Sequence, residues 1–239
     1  LTEGYTHYVV GPGLPELRQA IQKKLREENN LDYDVNCIMV TPGGKNAIYL
    51  AVQAFLNEGD EVLVLDPSWV SYEPIVQAAG GVTVKVKLDY RQDYRITAEA
   101  LEAACTDKTR LIIINYPNNP TGAVATPEFY EELVAWAKKY EVGVVSDFAY
   151  GALGADDFKN PSFLSTPGAK EVGVELYTFS KTFNMAGWRL AFAAGNAELI
   201  EALNLLQDHL FVSIFPAIQD AGAVALLDER AKAAIAELN

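Results

Sequence analysis

The feature that most constrains this chain is a rhythm between residues 61 and 147, in which short, almost unbroken apolar runs alternate with helix-like stretches. Residues 61–65, 82–87, 111–115 and 142–146 read as strands. Residues 70–79, 96–104 and 128–140 read as the helices between them, with Thr97 the expected cap of the second. Strands apolar throughout suit a sheet buried on both faces, and helical crossovers make such strands parallel. The pattern extends outward on both sides. A helix is expected over 14–29, opened by Pro15 and Glu16, with Leu17, Ile21 and Leu25 on one face. A strand at 37–40 and a helix at 45–55 follow it. Beyond residue 147, strands are expected at 173–179 and 190–194 and helices at 197–206 and 217–239, the last alanine-rich, with a mixed aromatic stretch at 208–215. The expected fold class is α/β, a three-layer α-β-α sandwich around a mostly parallel sheet.

Composition narrows the function. The 239 residues are 50% hydrophobic and 21% charged, which is a globular balance. Nineteen basic against thirty-two acidic residues give a net charge of −13, a surface that repels nucleic acid and anionic membranes. No apolar run approaches the length of a membrane span. Two histidines, His7 and His209, leave little material for a metal site, so none is expected. Two cysteines, Cys37 and Cys105, suit a reducing compartment, and the expected location is the cytoplasm.

Several turns fall where such a sheet would present them to a ligand. Thr41-Pro42-Gly43-Gly44 joins a strand to a helix; paired glycines let backbone amides turn toward a phosphate, although they also mark plain turns. Asp66-Pro67-Ser68-Trp69, Tyr116-Pro117-Asn118-Asn119-Pro120-Thr121-Gly122 and Asp147-Phe148-Ala149-Tyr150 each follow the carboxyl end of a strand, the rim at which open α/β sheets bind ligands. The stretch Thr178-Phe179-Ser180-Lys181 sets a lysine in an apolar, hydroxyl-rich setting, with Arg189 further on. A buried or half-buried lysine amine has its pKa pulled down and attacks aldehydes; a lysine snorkelling from a packed edge is the plainer reading.

Taken together, Asn119-Pro120-Thr121-Gly122, Asp147-x-x-Tyr150 and Ser180-Lys181-x-x-x-x-x-Gly187-x-Arg189 resemble the pocket of the fold-type I pyridoxal-phosphate enzymes. More closely, they resemble the class I/II aminotransferases related to aspartate aminotransferase. The resemblance implies a seven-stranded-type sheet and pyridoxal 5′-phosphate as cofactor. It implies that Lys181 joins the cofactor aldehyde and later carries protons at the substrate's Cα. Asp147 would bind the pyridine nitrogen, Tyr150 and Asn119 would donate to the cofactor's phenolic oxygen, and Trp69 would stack on its ring. Gly44, Lys45, Thr178, Ser180 and Arg189 would receive the phosphate. Thr178 stands where relatives often have serine, and Lys45 where a serine or threonine is common. Tyr8, ahead of Gly13-Leu14-Pro15, resembles a tyrosine that reaches the phosphate of a partner subunit, which implies a homodimer with a shared site; Tyr5 is the other candidate.

The resemblance also implies an organisation: residues 1–13 as a segment contacting the partner, and 14–239 as the cofactor-binding large domain. The small C-terminal domain of the family, with its arginine for the substrate carboxylate, has no counterpart here, so the chain reads as part of a longer enzyme. The implied reaction is amino transfer between an L-amino acid and a 2-oxo acid, with a donor of aspartate, alanine, methionine or diaminopimelate type. A C–S β-lyase of the same fold and a non-catalytic cofactor-binding fragment are the alternatives.

Overall fold

In the computed structural model, residues 4–154 and 158–238 are described. They contain a seven-stranded sheet, in the order β1-β7-β6-β5-β4-β2-β3. The strands are β1 (Ile38–Thr41), β2 (Glu61–Asp66), β3 (Val82–Lys87), β4 (Thr109–Ile114), β5 (Gly143–Asp147), β6 (Gly173–Thr178) and β7 (Ala191–Gly195). The helices are α1 (Pro15–Asn29), α2 (Gly44–Phe55), α3 (Tyr72–Ala78), α4 (Ala98–Ala104), α5 (Pro127–Tyr140), α6 (Ala169–Val172), α7 (Phe179–Thr182), α8 (Ala197–Phe211), α9 (Pro216–Leu227) and α10 (Glu229–Leu238).

Alternation along each strand divides the core into two layers. Leu63 and Leu65 of β2, Ile112 and Ile114 of β4, and Val144 of β5 face α1, α4, α5 and α9. Their neighbours Val62, Val64, Leu111, Ile113 and Val145 face α2, α3 and α8. Both faces of the sheet are thus covered along its central strands, which is why those strands are largely apolar on both sides. Thr97 caps α4, its hydroxyl accepting from the Ala100 amide at 3.2 Å, as the sequence indicates.

Strand direction decides where the site lies. The central strands run parallel, whereas β7 is antiparallel to both β6 and β1. The carboxyl ends of β1, β2, β4, β5 and β6 therefore share one rim, and the antiparallel β7 begins there. The turn between β6 and β7, which carries Lys181 and Arg189, is held on that rim by the pairing of Thr178 with Ala191.

Three expectations change in detail. Phe179 opens α7 and does not end a strand, because the Thr178 hydroxyl accepts the Ser180 amide and starts the turn. Helix α8 continues into the aromatic stretch as far as Phe211. The single helix expected over 217–239 is two, since Asp228 is extended and its carboxylate accepts the Arg230 amide at 2.8 Å, capping α10. Among the described residues no helix is long and apolar enough to cross a membrane.

Candidate active site

Gly44, Lys45, Trp69, Asn119, Asp147, Tyr150, Thr178, Ser180, Lys181 and Arg189 all line one cleft of about 290 Å³ at this rim. Tyr8 is not among its lining residues and is 87% exposed.

At the floor lies Asp147, the last residue of β5 and 7% exposed. Its Oδ2 accepts from the Tyr72 hydroxyl at 2.7 Å and its Oδ1 from the Ala149 amide at 3.2 Å. Burial pushes its pKa above the ordinary aspartate value, and these two donors pull the other way. The Tyr72 phenol is held well above its own usual range by burial first and then by the Asp147 charge. Asn115, at the end of β4, fixes both neighbouring loops: its Nδ2 donates to the Asp147 carbonyl at 2.8 Å, and its Oδ1 accepts the Asn119 amide at 2.8 Å. Asn119 Nδ2 in turn reaches the Tyr150 hydroxyl at 3.4 Å.

The opposite end is built for an anion. Gly43 turns the chain at φ 89° into α2, whose first-turn amides, those of Gly44 and Lys45, have no carbonyl one turn behind them. Arg189, itself left-handed at φ 51°, lays its guanidinium against this turn, where a Cβ on Gly43 would stand 2.2 Å from Nη2. Arg189 Nη1 also donates to the Ala186 carbonyl at 2.8 Å. A guanidinium, a helix N-terminus and the paired hydroxyls of Thr178 and Ser180 (2.9 Å apart) converge here. Positive charge gathered at the positive end of a helix is self-repelling until an anion lies between them.

Lys181 stands at the mouth, its Nζ 5.7 Å from the centre of the Tyr150 ring. Of the two readings of Lys181, the buried amine is not found: Lys181 is exposed, because Phe179 and Met185 turn inward and the rest of the β6–β7 turn faces the open side of the cleft. Lys45 is likewise exposed and lies over the Trp69 ring, 5.0 Å from its centre.

Tyr72 and Asn115 were missed. Asn115 had a signal, a polar residue closing an otherwise apolar strand. Tyr72 had only its position three residues after Trp69 on a helix expected to be core, and its edge-on contact with Trp69 at 5.5 Å fits either role.

Residues 1–238 match the family model for aminotransferase class I and II, and the chain belongs to that family. It is 44% identical over 219 residues to L-glutamine--4-(methylsulfanyl)-2-oxobutanoate aminotransferase of Bacillus subtilis, covering 91% of this chain and 55% of that protein. It is 40% identical over 239 residues to aspartate aminotransferase of Pyrococcus abyssi, covering 100% and 61%. The crystal structure of the aromatic aminotransferase from Pyrococcus horikoshii superposes with a TM-score of 0.94 at 39% identity, over 99% of this chain and 64% of that one. The chain therefore spans less than two thirds of the length of these relatives.

Pyridoxal phosphate is the cofactor of this family, and the donor set fits it. The cleft offers a cationic cradle for a phosphate at one end, a carboxylate for a protonated ring nitrogen at the floor, an aromatic wall and an amine.

Proposed function

We propose that this chain is the cofactor-binding portion of an enzyme that moves an amino group between an L-amino acid and a 2-oxo acid. The observation that carries the reading is the presence of Lys181 and Asp147 in one cleft that also holds the Arg189–Gly43 anion cradle. A plain phosphate site would need the cradle alone.

Arg189, the amides of Gly44 and Lys45, and the hydroxyls of Thr178 and Ser180 would hold the phosphate, the guanidinium fork suiting a dianion. Asp147 would hold the ring nitrogen in its protonated state, Trp69 would pack against the ring, and Asn119 and Tyr150 would hydrogen-bond its phenolic oxygen. When bound, pyridoxal phosphate supplies an aldehyde that condenses with amines and a ring that draws electrons from the substrate's Cα. Lys181 supplies the amine for that condensation in the resting site. Once the substrate amine has taken its place, its Nζ would take the proton from Cα and deliver it to the cofactor carbon that carried the aldehyde, a general acid–base role.

Tyr8 supports a second element of the reading. Exposed on its own chain, it would complete the phosphate site of a second copy, with residues 1–13 as the contacting segment and 14–239 as the domain that holds the cofactor. Relatives are named for glutamine, aspartate, diaminopimelate and aromatic amino acids, so a donor of aspartate, alanine, methionine or diaminopimelate type remains the proposal for this chain.

The test is a single-turnover assay on the chain loaded with pyridoxal phosphate and supplied in turn with each of these L-amino acids. The account expects one equivalent of the matching 2-oxo acid and no free ammonia. Ammonia and pyruvate from cystathionine would instead identify a lyase.

A further inference from the structure

Asp147 has a role in the reading above, but its partner Tyr72 has none. Tyr72 is on α3, the helix that follows the Trp69 loop, and is fully enclosed among Ile48, Leu50 and Val76 in the core layer on that face of the sheet. A tyrosine in such a layer costs more to bury than phenylalanine unless its hydroxyl finds a partner. Its one partner is Asp147 Oδ2, at 2.7 Å. The bond crosses from the layer beneath the sheet to the cleft floor, and it is the only side-chain donor that Asp147 has among the described residues.

Building on the cofactor reading, we propose that Tyr72 is a positioning residue for Asp147, its phenol fixing the carboxylate's rotation and keeping it an acceptor toward the ring nitrogen. A carboxylate oxygen holds two lone pairs, so Oδ2 can take Tyr72 and Oδ1 can take Ala149 with one acceptor direction left on each. Remove the phenol and one oxygen loses its partner in a site where burial already favours the neutral acid. A neutral acid offers a proton where the cofactor's ring nitrogen must keep its own. The other titratable groups lining the cleft, Lys45, Tyr150, Lys181 and Arg189, are the same with and without this phenol, so a change of Tyr72 isolates its effect.

The experiment follows the Asp147 carboxyl carbon by NMR in the unloaded chain labelled at aspartate, with Asp147→Asn to assign the signal. Tyr72→Phe is expected to raise the Asp147 midpoint by about one pH unit, a tenfold gain in proton affinity, as the loss of one hydrogen bond to a charged group implies. 3-Fluorotyrosine placed at position 72, a more acidic donor of nearly the same shape, is expected to lower it. Halfway between the two midpoints, Tyr72→Phe should bind pyridoxal phosphate about threefold more weakly than the wild type. An unchanged midpoint in folded Tyr72→Phe overturns the proposal. If that variant fails to fold, an unchanged midpoint with 3-fluorotyrosine overturns it equally. Failure of the wild type to bind pyridoxal phosphate would sink the cofactor reading, and it would leave the midpoint comparison in the unloaded chain intact as a measure of the pair.

Discussion

Gly43 lies directly beneath the guanidinium of Arg189, so closely that a methyl group in place of its hydrogen would stand 2.2 Å from Nη2. The two residues come from opposite ends of the chain, one after β1 and the other before β7. They meet because β7 runs against both of its neighbours and so starts on the rim where β1 ends. The glycine is needed twice over, for its positive φ of 89° and for this contact.

Gly43→Ala should therefore separate two effects. The strained backbone should lower stability by about 1–3 kcal/mol. The displaced guanidinium should weaken binding of pyridoxal phosphate by at least about tenfold, one lost charge-assisted hydrogen bond. Thermal unfolding reads the first and a binding titration the second. A variant that lost stability but bound as well as the wild type would show that Arg189 does not need this seat.

Asn115 ties the floor of the cleft to its side. It is 2% exposed and bonds the backbone of both Asp147 and Asn119. Asn115→Ala should cost about 1–3 kcal/mol for each group it leaves unpaired, read by urea denaturation. A loss well under 1 kcal/mol would mean that water takes over both contacts.

Asp147 gives a pH-dependent prediction whose sign can be worked out. Burial raises its folded-state pKa, so the folded chain binds this proton more tightly than the unfolded chain. Its contribution to stability is complete below the ordinary aspartate range and is lost as pH rises through the raised folded value. Asp147→Asn cannot ionise. In the unloaded chain it should gain stability relative to wild type as pH rises from about 4 to 8, by on the order of 1 kcal/mol. Unfolding free energies of both proteins across that range check it, and a difference that is flat or falls with pH would contradict it. The buried Glu175, raised in the same direction, is common to both proteins and cancels.

Glu175, on β6, is itself fully enclosed, with Ser146, Ser162 and Tyr177 hydroxyls and the Phe163 amide all donating to its two oxygens. An amide that keeps its oxygen toward the Phe163 N–H and Ser146 must turn its NH2 toward the Ser162 and Tyr177 hydroxyls, both of which would have to reverse from donor to acceptor. Glu175→Gln should therefore destabilise by about 1–3 kcal/mol. Equal stability in chemical denaturation would mean that the hydroxyls rearrange freely.

What the sequence made legible followed from period and punctuation. Apolar runs separated by helical stretches placed all seven strands to within a residue or two, because a sheet covered on both faces favours apolar residues on both sides of its central strands. The cleft residues were legible because they lie on turns beside strand ends on the same rim and because their motifs resemble those of one family. Contacts between layers were not. Tyr72 sits on a helix whose pattern is that of any core helix, and nothing in the order of residues says that its hydroxyl meets Asp147. The exposure of Lys181 fits the plainer of its two readings in sequence, because neighbouring apolar residues bury themselves without burying the residue between them. The break at Asp228 was hidden by alanine, whose helix propensity runs across it.

The central claim is that Lys181 is the amine that takes the cofactor. The most direct measurement treats the chain with pyridoxal phosphate, reduces it with borohydride, and locates the modified peptide by mass spectrometry beside Lys181→Ala. One cofactor per chain is expected, fixed on Lys181 in preference to Lys45 and the other exposed lysines, and none fixed stoichiometrically in the variant. Label scattered over surface lysines, or equal labelling of wild type and variant, would contradict it.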